Sequence, residues 1–269
     1  MTERLRGWVR RPAWLGILPG LLGLGCWSFE PARAETSRPG IGAADRGDAE
    51  TGALLVAYFQ RLLDDRDLGA FQDRVAARYT EGALGRILAE SPVATARRAA
   101  VVALGQQGRF EQSNAVLGRA LRDSDAVVRR LAEDALWSIW FRAGTPEHNR
   151  TLQELSHLIG RGQMSRAETL ANHLIRVAPD FAEAYNQRAI LYFHQGRFAE
   201  SAADCQRVLS RNPYHFGALG GLAQCLLRLD RPADALKTLH RALKLQPYQD
   251  GLRENIRLLE AQIAPEGSR

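Results

Sequence analysis

Residues 182–213 read AEAYNQRAILYFHQGRFAESAADCQRVLSRNP, and this stretch decides the fold. Tyr185 and Tyr192 are seven residues apart, which places two large side chains on one face of a helix. Gly196 favours the end of that helix, and Pro213 prevents a second helix from continuing. The stretch therefore predicts two helices joined by a short turn.

This helical hairpin recurs with a fixed period. The units 148–179, 182–213 and 216–247 each end in proline, and successive units are 34 residues apart. The period and the spacing of large and small residues resemble the tetratricopeptide repeat family over roughly residues 148–260. The resemblance implies an all-α fold, a right-handed α-solenoid of stacked hairpins whose concave groove binds a protein or peptide.

A second, weaker repeat precedes these units. Residues 97–104 (RRAAVVAL) align with residues 129–136 (RRLAEDAL) at an offset of 32, and Asp123-Ser124-Asp125 offers helix caps before the second copy. The pair resembles HEAT-like helical repeats. We therefore expect HEAT-like hairpins over residues 51–144, followed over 145–263 by three tetratricopeptide repeats and a C-terminal capping helix.

Two motifs predict where helices of the repeat region begin. Thr145-Pro146 combines a capping residue with a proline in the first turn. Asp180-x-x-Glu183 is similar to a capping box, in which the two side chains satisfy backbone N–H groups reciprocally.

Three aromatic residues, Trp137, Trp140 and Phe141, follow one another on one helix face. Large aromatic side chains at helical spacing are usually part of a core, which favours a buried seam between the two repeat types. The alternative is an exposed hot spot for a partner.

Residues 1–34 have the pattern of a signal peptide. A basic start is followed by an apolar run over residues 14–27 and by Ala32-Arg33-Ala34, a small-x-small cleavage site. The run is short for a membrane span and rich in glycine, so we expect cleavage and no membrane span in the mature chain. An uncleaved anchor, or a lipid on Cys26, is the alternative.

The polar composition of residues 35–50 predicts a disordered linker, and residues 264–269 are expected to form a frayed tail. The signal peptide predicts an exported protein of the periplasm or the extracellular space, with an envelope-anchored form as the alternative.

The positive charge is partly a property of the leader. The chain has a net charge of +6, and residues 1–34 hold five of its 36 basic and two of its 30 acidic residues, which leaves 31 and 28. No compact basic stripe with interleaved aromatic residues is present, so nucleic acid is not an expected partner.

The sequence contains no catalytic or metal-binding motif that we recognise. Its six histidines include no His-x-x-x-His pair, and no Gly-x-Ser-x-Gly elbow is present. We therefore expect a non-catalytic scaffold or assembly factor without cofactor or metal. The alternatives are a self-associating homo-oligomer and an enzyme with its site in the groove.

In the tetratricopeptide repeat family the groove is lined by the first helix of each hairpin. Asn and Gln amides in such a groove can bond a peptide backbone, while apolar residues take its side chains. The positions that the resemblance assigns to partner binding are Asn186, Gln187, Ile190, Phe193 and His194 of the middle repeat, with Gln224 and Arg228 of the third.

Cys205 and Cys225 lie on helices that are expected to be neighbours. Two interpretations stay open. The residues are buried thiols at positions where the family places small residues, or an oxidising compartment joins them in a disulfide.

Overall fold

The computed structural model describes residues 43–263, with side chains from residue 52 onward. The predicted signal peptide, most of the linker and the tail lie outside these residues. Within them the chain forms thirteen α-helices and no strand. The helices are α1 Ala43–Asp65, α2 Leu68–Ala76, α3 Glu81–Glu90, α4 Ala94–Gln107, α5 Phe110–Ala120, α6 Ala126–Phe141, α7 Pro146–Gly160, α8 Met164–Val177, α9 Ala182–His194, α10 Phe198–Arg211, α11 Phe216–Arg228, α12 Pro232–Leu245 and α13 Asp250–Ile263.

Helix α1 begins at Ala43, inside the segment predicted as a linker over residues 35–50. Ala43, Ala44 and Ala49 are strong helix formers, and they extend the helix ahead of its apolar stripe. The linker was predicted because the segment is polar, and polarity alone does not exclude a helix.

The 32-residue repeat corresponds to two stacked hairpins, α3–α4 and α5–α6, in which α3 packs on α5 and α4 on α6. The Arg97 guanidinium donates to the backbone carbonyls of residues 91–92, and the Arg129 guanidinium donates to those of residues 123–124. These contacts are also 32 residues apart. The repeat in the sequence is therefore a repeat of structure.

Ion pairs join the two hairpins at this position. Arg97 forms a bidentate pair with Asp123 at 2.8 Å, and Arg98 forms one with Asp125 at 2.5 and 3.0 Å. Asp125 also caps α6, since its carboxylate accepts from the Val128 N–H at 2.8 Å. The donating Arg98 guanidinium lowers the pKa of Asp125 below its ordinary value.

We expect Asp125→Ala to lower the free energy of unfolding by about 1–2 kcal/mol at neutral pH, because a helix cap and an ion pair are lost together. The pKa of Asp125 is lower in the folded state than in the unfolded state. Its contribution is therefore present above the unfolded pKa and disappears as the pH falls through the folded pKa.

Urea unfolding of both proteins at neutral and acidic pH measures this difference. The gap between wild type and variant should narrow in acid. Asp73→Ala, which removes an exposed carboxylate from α2, serves as the control and should change little at either pH. A gap that widens in acid would contradict the expectation.

The 34-residue period is visible in the backbone of the repeat region. Gly162, Gly196 and Asp230 follow the first helix of successive hairpins, and all three have positive φ angles, of 72, 75 and 55°. Each is the residue at which the chain turns into the second helix. Glycine adopts this conformation freely, and aspartate is among the few other residues that tolerate it.

The α5–α6 hairpin does not simply continue the stack. It lies along the loops that join the 34-residue hairpins to one another. At the middle of α6, Glu133 accepts from the amides of Gln246 and Gln249, at 2.7 and 3.0 Å, between α12 and α13. Further along α6, the Trp137 ring packs edge-on against His215 at the start of α11, with ring centroids 5.2 Å apart.

The aromatic residues at the end of α6 therefore form a seam between the two halves of the chain. Trp140 is 2% exposed and contacts both His215 and Phe216. Phe141 packs with the cluster that includes Phe181, at the start of α9. Of the two interpretations of these aromatics, the structure shows the buried seam.

Both cysteines of the repeat region are buried free thiols. The Cys225 thiol donates to the Ser201 hydroxyl, with a sulfur–oxygen distance of 3.2 Å. The hydrogen bond with Cys225 and burial raise the pKa of Cys205 well above its ordinary value. The sulfurs are neighbours, and no disulfide joins them in the structure.

Candidate functional site

The structure divides the predicted groove residues into two groups. Asn186, Gln187, Ile190 and Gln224 are buried, with exposed fractions of 1, 6, 8 and 8%. In this conformation their side chains are enclosed by the protein. Contact of a partner with the predicted groove therefore depends on the remaining residues, Phe193, His194 and Arg228.

These remaining residues lie at the rim of the repeat region, where α9 and α11 end. Arg228 is exposed, and its guanidinium lies 5.9 Å from the ring centroid of Phe193 and 5.2 Å from that of Phe198. The two phenylalanine rings are 5.3 Å apart and T-shaped. We call Phe193, Phe198 and Arg228 the rim cluster, and exposed His194 is next to it on α9.

Phe198 was not among the predicted site residues. It opens the second helix of the middle hairpin, so its position in the repeat indicated packing rather than binding. Phe198 belongs to the rim cluster because Arg228, from the following repeat, lies against its ring.

Glu183 is the centre of a buried polar network. Its carboxylate accepts from Asn186 Nδ2 at 2.6 Å and from Gln187 Nε2 at 3.1 Å, and His215 Nε2 lies 3.1 Å away. His215 Nδ1 accepts from the Ala218 N–H at 3.0 Å. Because a backbone N–H can only donate, the proton of the neutral imidazole is on Nε2, directed at Glu183.

The predicted capping box is therefore wrong. The residue before α9 is Phe181, which provides no side-chain cap, and the helix begins at Ala182. Glu183 faces His215 of the next repeat instead of returning to the backbone of residue 180. A partner 32 residues away in the chain has displaced the local hydrogen bond.

A second chain of hydrogen bonds crosses the seam. Trp140 stacks on His215, with centroids 4.2 Å apart and planes inclined by 17°. Its indole Nε1 donates to Asn114 Oδ1 at 2.7 Å, and Asn114 Nδ2 donates to Asn212 Oδ1 at 3.0 Å. Among the described residues Asn212 Nδ2 finds no hydrogen-bond partner, although Asn212 is completely buried.

A cleft of about 390 Å³ opens beside this network, between the α5–α6 hairpin and the loops before α7 and α9. Below we call it the seam cleft. It is within the usual size range of ligand pockets. Its wall includes the aromatic residues Phe110, Trp140 and Phe181 and the polar residues Glu111, Asp180 and Asn212.

No pattern in the sequence indicates this cleft. Asn114 and Asn212 are 98 residues apart, and neither belongs to a motif. The aromatic run 137–141 was the one signal that pointed to the seam, and it did not indicate an opening there.

Two further properties bear on function. Between residues 52 and 263 the His, Cys, Asp and Glu side chains form no group of three or more that could hold a metal ion. Of the helices between residues 43 and 263, none combines the length and apolar character needed to cross a membrane.

Comparison with known proteins gives matches to the repeat region. Family models of the tetratricopeptide repeat match residues 152–216 and residues 192–250. A tetratricopeptide-repeat-containing protein of Rhizobium etli is 30% identical over 125 residues, which are 46% of this chain and 61% of that protein. No solved structure matches the chain.

The WD and tetratricopeptide repeats protein 1 of mouse and that of human are each 31% identical over 97 residues, which are 35% of this chain and 14% of those proteins. The chain thus spans less than two thirds of each of these relatives. The matches agree with the 34-residue period and with the helical hairpins, and residues 152–250 are a region of tetratricopeptide repeats.

Proposed function

We propose that this chain is a non-catalytic adaptor that binds another protein through the rim of its tetratricopeptide repeats, as a scaffold or assembly factor of the cell envelope. Tetratricopeptide repeats generally mediate protein–protein interactions. The observation that carries the proposal is the rim cluster, where two aromatic rings and an exposed guanidinium lie together. Aromatic residues and arginine are the side chains enriched at the centres of protein interfaces.

The rest of the predicted groove supports this choice of surface. The amides of Asn186 and Gln187 are buried and donate to Glu183, so they are not presented to an incoming peptide. The rim is where the first helices of neighbouring repeats still present side chains to solvent. We therefore place the partner at the rim rather than deep in the groove.

Site-specific photo-crosslinking tests the proposal. A benzoylphenylalanine at position 194, beside the rim cluster, should give a discrete crosslinked protein when the chain is expressed in its native host and irradiated. The same group at position 241, on the exposed face of α12, is the matched control and should give little or no adduct. Mass spectrometry then identifies the captured protein.

Removal of two of the three side chains of the rim cluster gives a second test in the same experiment. Phe193→Ala with Arg228→Ala should reduce the adduct at position 194 several-fold, since interface anchors contribute about 1–2 kcal/mol or more each. Equal adducts at positions 194 and 241, or an adduct insensitive to the double substitution, would refute the rim as the binding surface.

Export is part of the proposal and rests on the composition of residues 1–34. We expect the mature chain to begin at Glu35 and to be found outside the cytoplasm. Cell fractionation with intact-mass measurement checks both points. A cytoplasmic chain of full length would contradict export, and a mass increase on Cys26 would identify the lipid-anchored alternative.

The N-terminal hairpins are proposed to be HEAT-like repeats, on the basis of the 32-residue offset and the equivalent arginine contacts. In this proposal they serve to position the repeat region and to enclose one side of it.

A further inference from the structure

We propose that the seam cleft is a binding site for an extended peptide segment in which a basic side chain neighbours an apolar one. This inference rests on the proposed function, because it assigns a second contact of the same protein partner. It differs in its location, which is the junction of the α5–α6 hairpin with the repeats, and in the recognition chemistry.

The wall of the cleft includes a buried amide with an unused hydrogen-bond donor. Asn212 lines the cleft and is completely buried, its Oδ1 accepts from Asn114 and from the Tyr214 N–H, and its Nδ2 has no partner within the part of the chain that the structure describes. Buried amide groups are nearly always paired, so an unpaired donor in the wall of a cleft calls for an acceptor oxygen from a ligand. The first turn of α9, which has no side-chain cap, adds N–H groups at the same cleft.

The cleft also carries negative charge. Glu111 and Asp180 are exposed members of its wall, and none of the arginines and lysines that the structure describes lines it. Among the described residues no ion pair engages either carboxylate. Glu183, the third carboxylate of the wall, is 1% exposed and is occupied by its own network. The exposed carboxylates therefore favour a cation.

A buried donor and exposed carboxylates in the wall of one cleft together favour a peptide. A free anion matches the amide donors but is repelled by Glu111 and Asp180, and a free cation matches these carboxylates but leaves Asn212 unpaired. An extended peptide presents a carbonyl oxygen and a basic side chain within one or two residues of each other. The rings of Phe110, Trp140 and Phe181 provide apolar contact for the neighbouring side chain.

Fluorescence anisotropy with the full chain tests this assignment. The probe is a fluorescein-labelled, C-terminally amidated octapeptide, Gly-Ser-Ala-Leu-Arg-Ala-Ser-Gly, and the comparison peptide has Gln in place of Arg. Two exposed ion pairs together contribute about 1 kcal/mol, so the Arg peptide should bind about fivefold more tightly than the Gln peptide.

Substitutions in the wall should remove this preference. In Glu111→Gln/Asp180→Asn, both at the surface, the two peptides should bind equally within about twofold. The matched control Asp73→Asn/Glu154→Gln makes the same charge change at exposed positions outside the cleft and should keep the preference. Asn212→Asp keeps the Oδ1 acceptor and removes the donor, and it should weaken both peptides about tenfold.

The proposal is overturned if neither peptide binds at millimolar concentration, if both bind the wild type equally, or if the preference survives in the Glu111/Asp180 variant. The Glu111/Asp180 result holds even if Asn212→Asp fails to fold. Crosslinking at position 194 that persists while the peptides fail would retain the rim as the binding surface and reject the cleft alone.

Discussion

Trp140→Ala is expected to lower the free energy of unfolding by about 3–5 kcal/mol. The Trp140 ring is 2% exposed, stacks on His215 at 4.2 Å and donates to Asn114. Its removal leaves a cavity at the seam, and the buried Oδ1 of Asn114 loses the N–H group that donates to it. A loss of this size is a large fraction of the stability of an ordinary domain.

Chemical denaturation followed by circular dichroism measures the effect. The control is Tyr248→Ala, because Tyr248 belongs to the same seam, where it lies under the Arg129 guanidinium at 4.1 Å, but is 51% exposed. We expect the control to lose about 1 kcal/mol or less. Equal losses for the two variants would mean that the two halves of the chain do not depend on Trp140 for their contact.

Glu183→Ala is expected to be comparably destabilising, by about 3–5 kcal/mol. The Glu183 carboxylate is 1% exposed and accepts from the side-chain amides of Asn186 and Gln187, with His215 Nε2 at 3.1 Å. Alanine leaves these donors buried without an acceptor, and each unpaired group carries a desolvation penalty of about 1–3 kcal/mol.

Glu183→Gln removes the negative charge but keeps the shape of the side chain, so it shows how much of the loss is due to the charge. Its oxygen still accepts one hydrogen bond, while its NH₂ group faces donors, so the loss should be intermediate. Glu154→Ala on the exposed face of α7 is the control, and we expect a change within about 0.5 kcal/mol. A Glu183→Ala protein as stable as the control would show that the network is not needed by the fold.

Two helix starts show when a local capping motif forms and when a tertiary contact replaces it. Thr145 caps α7 as its motif predicted, through its Oγ1 and the His148 N–H. The equivalent prediction at Asp180-x-x-Glu183 was wrong, because His215 provides Glu183 with a buried partner. A side chain caps its own helix where no other partner competes for it. Where a buried tertiary partner is available, as for Glu183, the side chain bonds to that partner instead.

The groove assignment shows the same limit. Position in the repeat identified the first helix of each hairpin, and half-buried Phe193 with exposed His194 and Arg228 remain predicted contacts. It did not indicate that Asn186 and Gln187 are enclosed and bonded to Glu183. Repeat position defines the helix face, whereas burial depends on what lies against that face.

The sequence by itself determined the helical hairpins, their 34-residue period and the turns after residues 160, 194 and 228. These features depend on residues within about 34 positions of one another, whose helix propensity, glycine and proline signals are local. Only the tertiary structure decided that the α5–α6 hairpin lies along the inter-repeat loops and that, among the described residues, Asn212 Nδ2 has no partner in the wall of a cleft. The contacts responsible join residues 98 and 113 positions apart, Asn114 with Asn212 and Glu133 with Gln246, and no local pattern encodes such a pairing.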